Sequence, residues 1–350
     1  MIIYACKEDR IMASRIVRIE SITIDNFKNV THGTLDFENK RKDYKASVLG
    51  LYGQNGSGKT ALIDAIHLLK LALCGKAVPK KYADYIKQIE IESLWSGTKH
   101  ILWNLDRRVN ILSGVNGVGK STILNKVVKG LAAGGEFPSH MIKGVHLKVE
   151  PEEAKWIRYD VIRSVDRPLM NAEMINKIDL TLVTELDWQL FQLQRKYLDY
   201  QVNIGNRIIA VLQSGEPDAA FKAQKLSEPK KMFQDMVDNL FKDTGKTIIR
   251  TANEIRFNQI GEQLSPYQLS AGEKQILAIL LTVLVEDNQS YVLFMDEPEI
   301  SLHFEWQKLL IGLVLQLNPN IQIIMTTHSP AVVMDGWTDR VTDVNDITIS

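Results

Sequence analysis

The sequence contains one phosphate-binding pattern twice. "GQNGSGKT" begins at Gly53 and "GVNGVGKS" begins at Gly114, and both fit the spacing G-x-x-x-x-G-K-[ST]. Such a loop folds between a strand and a helix, because its glycines turn backbone N–H groups onto phosphate oxygens at a helix N-terminus. Each copy follows an apolar strand pattern and precedes a helical pattern. The sequence therefore predicts an α/β fold with two phosphate-binding loops.

The repeat is longer than the loop itself. Each loop is preceded by two strands that alternate apolar and polar residues around a turn, which is the pattern of a β-hairpin. Each loop is followed by a helix. Beyond the second loop, strands and helices continue to alternate, which favours a mostly parallel sheet covered on both faces. We therefore expect an extra hairpin–loop–helix module at residues 1–86 and a larger domain at residues 87–350, with antiparallel N-terminal hairpins in both.

A helical segment interrupts the larger domain at about residues 171–245. The pattern predicts two helices, the second near Lys231–Lys242, with a loop at residues 214–218 between them. The segment is interpreted as an inserted helical arm or, equally, as a helical subdomain without a mechanical role. The first helix carries one apolar ridge, formed by Leu186, Leu190, Leu193, Tyr197, Tyr200, Ile204, Ile208 and Val211.

The two loops supply the candidate nucleotide-binding residues. A lysine, Lys59 or Lys120, would reach the β- and γ-phosphates, and a hydroxyl, that of Thr60 or Ser121, would bind Mg²⁺. The candidates in the second loop are Gly114, Asn116, Gly117, Gly119, Lys120, Ser121 and Thr122. The candidates in the first loop are Gly53, Gly58, Lys59 and Thr60.

The stretch "VLFMDEPE", which begins at Val292, supplies candidate catalytic residues. Asp296 comes at the carboxyl end of an apolar strand, where ligands lie in open α/β sheets, and is predicted to bind Mg²⁺. Glu297 beside it would act as the general base that polarises the attacking water. His328 follows the next apolar strand and is predicted to lie beside the γ-phosphate. The alternatives are an ordinary acidic turn and a structural histidine.

A third motif, "LSAGEKQ", begins at Leu269. Ser270 and Gly272 would stand at a helix N-terminus, where a hydroxyl and free N–H groups suit an anion. Taken alone, this motif predicts only a helix cap.

Together, and in this order, the motifs resemble the ATP-binding-cassette (ABC) superfamily of P-loop ATPases. "LSAGEKQ" and "DEPEISLHFEWQ" are similar to the soluble branch, which contains the SMC, RecF and overcoming-lysogenization-defect (OLD) families and the small OLD-like AAA family ATPases of anti-phage defence. The resemblance covers about residues 87–340 with all motifs, and about residues 14–80 with a second module only.

The resemblance implies a mechanism. Two domains would pair head to tail around two ATP molecules, with Ser270 and Gly272 of one touching the γ-phosphate bound by the other, and with Glu299 and Ser301 near the seam. Mg²⁺-dependent ATP hydrolysis would reset this homodimer and switch a protein partner, such as a nuclease or another effector, in genome defence or DNA maintenance. One alternative is an ATP-gated assembly module without turnover. Another is a transporter ATPase subunit, which the Glu-Lys continuation of the signature disfavours.

Only the second loop leads directly into the other motifs. The sequence has one signature, one Asp–Glu pair and one switch histidine, so one complete site can be assembled per chain. We therefore expect Lys120 and Ser121 to act in catalysis. The first module is then a fused relative, a remnant, an artefact of reading-frame assembly, or a site that binds nucleotide without hydrolysing it.

Composition bears on partners and location. Lysine plus arginine equals aspartate plus glutamate, 42 against 42, so net charge gives no argument for nucleic acid or an acidic membrane surface, and DNA stays open as a partner. The two cysteines, Cys6 and Cys74, are too few for a disulfide framework or a cysteine metal cluster. The sequence shows neither a signal peptide nor an apolar run of about 20 residues. We expect a cytoplasmic protein without a membrane partner.

Overall fold

The chain divides into two units, Met1–Lys80 and Lys81–Ser350. The computed structural model describes residues 21–27, 30–36, 81–95, 97, 99–132, 144–163 and 184–349. In the first unit, strands β1 (Ser21–Phe27) and β2 (Val30–Asp36) form an antiparallel hairpin, as the alternating pattern predicts. The first phosphate-binding loop and the helix predicted after it lie outside the described residues.

A five-stranded parallel sheet forms the centre of the second unit. The order is β13-β5-β12-β11-β7, and every neighbouring pair is parallel. All residues of the central strand β12 are buried, which agrees with the apolar runs expected of a sheet covered on both faces. The α/β class with a parallel sheet is confirmed. The strands are β5 (Val109–Ser113), β7 (Tyr159–Arg163), β11 (Tyr291–Asp296), β12 (Ile321–Thr326) and β13 (Val341–Asp343).

A four-stranded antiparallel sheet, ordered β14-β4-β3-β6, packs beside the parallel sheet. The buried side chain of Gln322 in β12 connects the two sheets. Its amide donates to the carbonyl oxygens of Ile86 and Asp106, both at 2.8 Å, and its carbonyl accepts the N–H of Ile86 at 2.8 Å. The strands are β3 (Tyr85–Leu94), β4 (Lys99–Asn104), β6 (Val145–Glu150) and β14 (Thr348–Ile349).

Helices cover both faces of the parallel sheet. Successive residues of a strand point to opposite faces, so Leu293 and Met295 of β11 join one hydrophobic core while Val292 and Phe294 join the other. The first core contains α2 to α5, and the second contains α1 and the antiparallel sheet. The helices are α1 (Lys120–Ala132), α2 (Glu185–Gln213), α3 (Ala219–Leu240), α4 (Ala271–Val285), α5 (Phe304–Leu317) and α6 (Pro330–Met334).

The helical segment consists of α2 and α3, joined at residues 214–218 as predicted. Thr184 and Asp187 form a capping box that starts α2. The apolar ridge of α2 is buried from Leu186 to Ile204 and packs in the same core as α4 and α5. Along this part the segment is a packed helical layer, and a mechanical role for it stays a prediction.

The predicted start of α3 near Lys231 was wrong, because α3 begins at Ala219. The prediction rested on apolar residues at helical spacing from Phe233 onward. In the structure, Ala219 and Ala223 are buried, and the helix continues through Pro229. Burial of the first turns therefore outweighs the hydrogen bond that proline cannot make.

Three short strands, β8 (Lys246–Ile248), β9 (Phe257–Gln259) and β10 (Glu262–Leu264), form an antiparallel sheet between α3 and α4. Among the residues that the structure describes, none of the helices combines the length and apolar character needed to cross a membrane.

Candidate active site

The second phosphate-binding loop joins β5 to α1. Three of its glycines have positive φ angles, 143° at Gly114, 82° at Gly117 and 110° at Gly119, which residues with a side chain adopt rarely. Lys120 is the first residue of α1, and its Nζ donates to the carbonyl oxygens of Gly114 at 2.8 Å and Val115 at 3.2 Å. The loop therefore curls around the lysine ammonium at a helix N-terminus, the arrangement that binds phosphate.

Lys120 is a buried cation, with 4% of the residue exposed. Burial lowers the pKa of its ammonium below the usual value, while the nearby carboxylates of Glu297 and Asp296 act in the opposite direction. A desolvated ammonium gains from a nearby anion, so an anionic ligand such as a phosphate suits this position.

Asp296 lies where two hydroxyl groups converge. Its Oδ1 accepts hydrogen bonds from Ser121 Oγ at 2.8 Å and from Thr326 Oγ1 at 2.7 Å. The parallel pairing of β11 with β12 places Asp296 directly beside Thr326. Carboxylate and hydroxyl oxygens are ligands that Mg²⁺ prefers. The structure thus brings together the two predicted metal ligands, Ser121 and Asp296.

This donor set fits Mg²⁺ bound together with a nucleotide. The described residues contain no cluster of three or more His, Cys, Asp or Glu side chains able to bind a metal ion. Mg²⁺ is often bound by one or two protein groups plus substrate phosphates and water, which is what one carboxylate and one hydroxyl can support.

Glu297 follows Asp296 in a strained conformation. Its φ is 50°, which is uncommon for a residue with a side chain and is typical of functional positions. Its N–H donates to the carbonyl and hydroxyl oxygens of Thr326, both at 3.1 Å. Its carboxylate Oε1 lies 3.0 Å from Nε2 of His328, and both side chains are partly exposed. The predicted base and the predicted histidine are therefore in contact at an edge that water can reach.

Glu299 lies in the turn after β11, and its expected place near a dimer seam stays a prediction. Its side chain is buried in its own chain, where Oε1 accepts the Thr327 hydroxyl at 2.6 Å and the N–H groups of His328 at 2.9 Å and Ser329 at 3.3 Å. The turn after β11 thus directs the Glu299 side chain inward.

Ser270 caps α4, as the helix-cap interpretation predicts. Its hydroxyl donates to Glu273 Oε2 at 3.0 Å, and the Ser270 N–H donates to the same oxygen at 2.9 Å. Glu273 Oε1 accepts Lys246 Nζ at 2.9 Å and the Thr244 hydroxyl at 3.0 Å. Burial acts to raise the pKa of Glu273, but these hydrogen bonds outweigh it and lower the pKa. Ser270 itself is exposed and remains accessible to a second molecule.

Two contacts near the site have no motif in the sequence. Trp95, in the turn between β3 and β4, packs against the loop, where a β-carbon added to Gly119 would lie 2.8 Å from its ring. Thr326 contacts Asp296 and Glu297 at once. The sequence signals were weak, namely an aromatic residue in a hairpin turn and a pair of threonines before His328.

Comparison with family models divides the chain between two related domains. The model described as "AAA domain, putative AbiEii toxin, Type IV TA system" matches residues 163–335. A second model, described as "AAA domain", matches residues 21–100. Both models describe AAA domains, which supports the resemblance of the chain to P-loop ATPases. The match at residues 163–335 contains the signature, the Asp–Glu pair and His328.

Curated relatives of the chain include a retron ATPase, a Septu protein and a DNA replication and repair protein. The chain is 26% identical over 135 residues to "Retron Vc95 probable ATPase" of Vibrio cholerae, covering 35% of this chain and 26% of the relative. It is 24% identical over 294 residues to "Septu protein PtuA" of Bacillus thuringiensis, covering 71% and 72%. It is 46% identical over 55 residues to RecF, a DNA replication and repair protein, of Chlorobaculum parvum, covering 16% and 13%. The chain thus spans about a quarter of the retron ATPase that it matches.

Two solved SMC structures are similar to the ATPase fold. An SMC head bound to the C-winged helix domain of ScpA has a TM-score of 0.41 at 14% identity, covering 72% of this chain and 91% of that chain. The SMC head domain of Thermotoga maritima has a TM-score of 0.38 at 15% identity, covering 75% and 97%.

Proposed function

We propose that the chain binds and hydrolyses ATP with Mg²⁺ at the site of the second loop. The observation that carries this proposal is the pair of hydrogen bonds from Ser121 and Thr326 to Asp296, which places a hydroxyl and a carboxylate beside Lys120. Backbone N–H groups of residues 114–120 and the Lys120 ammonium would bind the β- and γ-phosphates. Ser121 and Asp296 would bind Mg²⁺, which supplies charge neutralisation at the phosphate oxygens.

Glu297 is the proposed general base. A water oxygen attacks the γ-phosphorus, the bond to the oxygen that bridges the β- and γ-phosphates breaks, and ADP and phosphate leave. Glu297 takes the proton that the water loses, and His328, which lies 3.0 Å from its carboxylate, orients it. Lys120 stabilises the negative charge on the transferring group because it is buried beside the loop.

ATP binding would pair two chains head to tail. Ser270 is exposed at the N-terminus of α4, so it and Gly272 can contact a γ-phosphate held by a second molecule. Ile300 and Phe304, in and just after the turn that follows β11, are 58% and 52% exposed. Burial of such apolar side chains on pairing would favour the dimer.

The cellular role is proposed from the named relatives. Two of them belong to retron and Septu systems, and RecF acts in DNA replication and repair. We assign the chain to genome defence or DNA maintenance, as the ATPase of a cytoplasmic complex that contains an effector such as a nuclease. Its ATP-dependent pairing would switch that partner, with or without DNA.

Phosphate release by the purified chain tests this function. The wild type should hydrolyse ATP only when Mg²⁺ is present. Glu297→Gln should reduce turnover by about 100-fold or more while ATP binding persists, because the amide cannot accept the proton. Light scattering should then show the variant as an ATP-dependent dimer.

Glu228→Gln is the matched control, because Glu228 is an exposed acid on α3. It should hydrolyse ATP like the wild type. A wild type that binds ATP and pairs without turnover, unchanged by Glu297→Gln, would identify an ATP-gated assembly module instead. A wild type that does not bind ATP would refute both functions.

A further inference from the structure

Glu299 is a buried carboxylate to which the proposed reaction gives no role. It lies in the turn after β11, and 4% of the residue is exposed. Its Oε1 accepts three hydrogen bonds, whereas its Oε2 is buried without a hydrogen-bond partner. Removing a carboxylate from water is unfavourable, so the three bonds at Oε1 must offset that cost locally.

All three donors belong to one short turn, residues 327–329, between β12 and α6. They are the Thr327 hydroxyl, the His328 N–H and the Ser329 N–H. His328, the middle residue of this turn, has its imidazole Nε2 at 3.0 Å from Glu297 Oε1. In the described part of the chain, the hydrogen bonds of His328 thus go to Glu299 through its backbone and to Glu297 through its ring.

Gln307 of α5 contacts the same turn from another side. The Ser329 hydroxyl donates to Gln307 Oε1 at 2.6 Å, and Gln307 Nε2 donates to the carbonyl oxygen of Leu302 at 2.9 Å. This contact fixes the end of the turn and the start of α6. It does not involve His328, whose N–H donates to Glu299 Oε1 at 2.9 Å.

We propose that Glu299 is a positioning residue for ATP hydrolysis: its carboxylate fixes the turn 327–329 and thereby holds His328 against Glu297. This inference rests on the proposed function, because it assigns a part in that reaction. Glu299 acts because its side chain is long enough to place an acceptor oxygen at this turn. The proposal gives its charge no part, since an amide oxygen at the same place can also accept hydrogen bonds from the turn.

Two substitutions separate the effect of side-chain length from the effect of charge at position 299. Glu299→Gln keeps the length of the side chain and one acceptor oxygen but removes the charge. Glu299→Asp keeps the charge but withdraws the carboxylate from the turn by one methylene. We expect kcat to stay within about threefold in Glu299→Gln and to fall about 10- to 100-fold in Glu299→Asp, because small displacements of catalytic groups have effects of this order. KM for ATP should stay within about threefold in both variants, because the hydrogen bonds of the Glu299 carboxylate go to the turn 327–329.

A double-mutant cycle tests whether Glu299 acts through His328. His328→Ala should lower kcat, and combining it with Glu299→Asp should lower kcat no further, since both changes remove the same contact. Asp238→Ala is the structural control. Asp238 accepts the N–H of Ile248 at 2.7 Å in a different part of the unit, so its loss should reduce the melting temperature and leave kcat unchanged.

NMR of the histidine side chains gives a readout that does not need turnover. The His328 signals, identified by their loss in His328→Ala, should move in Glu299→Asp and stay in place in Glu299→Gln. If Glu299→Asp keeps the kcat of the wild type and Glu299→Gln lowers it, the proposal is overturned and the charge of Glu299 has the role instead. Additive losses in the cycle, or unmoved His328 signals in Glu299→Asp, would also overturn it. Absence of turnover in the wild type would refute the proposed function separately.

Discussion

Gly272 packs directly against the backbone of Ser301. A β-carbon added to Gly272 would lie 2.4 Å from the carbonyl oxygen of Ser301. This contact joins the start of α4 to the turn after β11, within one chain. The glycine of the signature therefore has a packing role that is independent of any nucleotide.

Gly272→Ala is expected to destabilise the chain even without ATP. The added methyl group would meet a carbonyl oxygen of the main chain, so a backbone segment would have to move. Overpacking of this kind costs about 1–3 kcal/mol of the free energy of unfolding. Thermal unfolding in nucleotide-free buffer would measure the change.

Gly312→Ala provides the matched control for this prediction. Gly312 lies inside α5, is exposed, and has open space where its β-carbon would be. Replacing a helical glycine by alanine should stabilise the chain by about 0.5–1 kcal/mol. Equal melting temperatures for Gly272→Ala and the wild type would contradict the packing role.

Thr326→Val should impair catalysis with little effect on the fold. Valine has the shape of threonine, but it lacks the hydroxyl that donates to Asp296 and accepts from the Glu297 N–H. Both proposed catalytic groups would lose an orienting contact, so we expect kcat to fall about 10- to 100-fold. The Mg²⁺ concentration needed for half-maximal turnover should rise.

Thr282→Val is the matched control, which tests whether the loss of any buried threonine hydroxyl lowers kcat. Thr282 is also buried, but its hydroxyl donates to the Ala278 carbonyl oxygen within α4 at 2.8 Å. This variant should retain the kcat of the wild type. If Thr326→Val does so too, Thr326 has no part in positioning Asp296 and Glu297.

The sequence allowed several of these residues to be predicted together. Asp296 and His328 follow apolar strands, and Lys120 follows a third. In a parallel sheet the carboxyl ends of neighbouring strands meet at one edge, so an apolar run that ends in a chemically active residue predicts a shared site. The structure agrees, because β5, β12 and β11 are neighbours.

The roles of Thr326 and Glu299 could not be predicted in this way. The sequence offers two adjacent threonines, and only the pairing of Asp296 with Thr326 determines which hydroxyl meets the carboxylate. Glu297 and Glu299 look alike in "DEPE", yet one is partly exposed and the other is buried. That difference depends on how a turn folds back over the next strand, which is a tertiary effect.

Stability should depend on pH through Glu286. Burial and the neighbouring Asp160 carboxyl raise the pKa of Glu286 from 4.5 to about 7, although Lys196 and Arg158 act in the opposite direction. Between these values the folded chain binds more protons than the unfolded chain, so the free energy of unfolding falls as the pH rises from about 4.5 to about 7. Glu286→Gln should remove this decline.

Thermal unfolding at pH 5 and pH 8 would check this prediction. The melting temperature of Glu286→Gln should exceed that of the wild type at pH 8, and the gap should shrink at pH 5. Glu262→Gln, at an exposed position of β10, should follow the wild type at both pH values. If the melting temperature of Glu286→Gln changes between pH 5 and pH 8 as much as that of the wild type, Glu286 is not the origin of the pH dependence.

The two phosphate-binding loops can be compared by removing each lysine. Lys120→Ala should reduce Mg²⁺-dependent ATP turnover by about 100-fold or more, because Lys120 is the buried cation beside Asp296 and Glu297. Lys59→Ala should leave turnover unchanged, since Lys120 and Ser121 lie beside the Asp–Glu pair that completes the proposed site.

Equilibrium binding of ATP to both variants separates occupancy from hydrolysis. Residual ATP binding in Lys120→Ala that disappears when Lys59→Ala is added would show that the first loop binds nucleotide without hydrolysing it. Loss of turnover in Lys59→Ala alone would instead make the first loop the catalytic one.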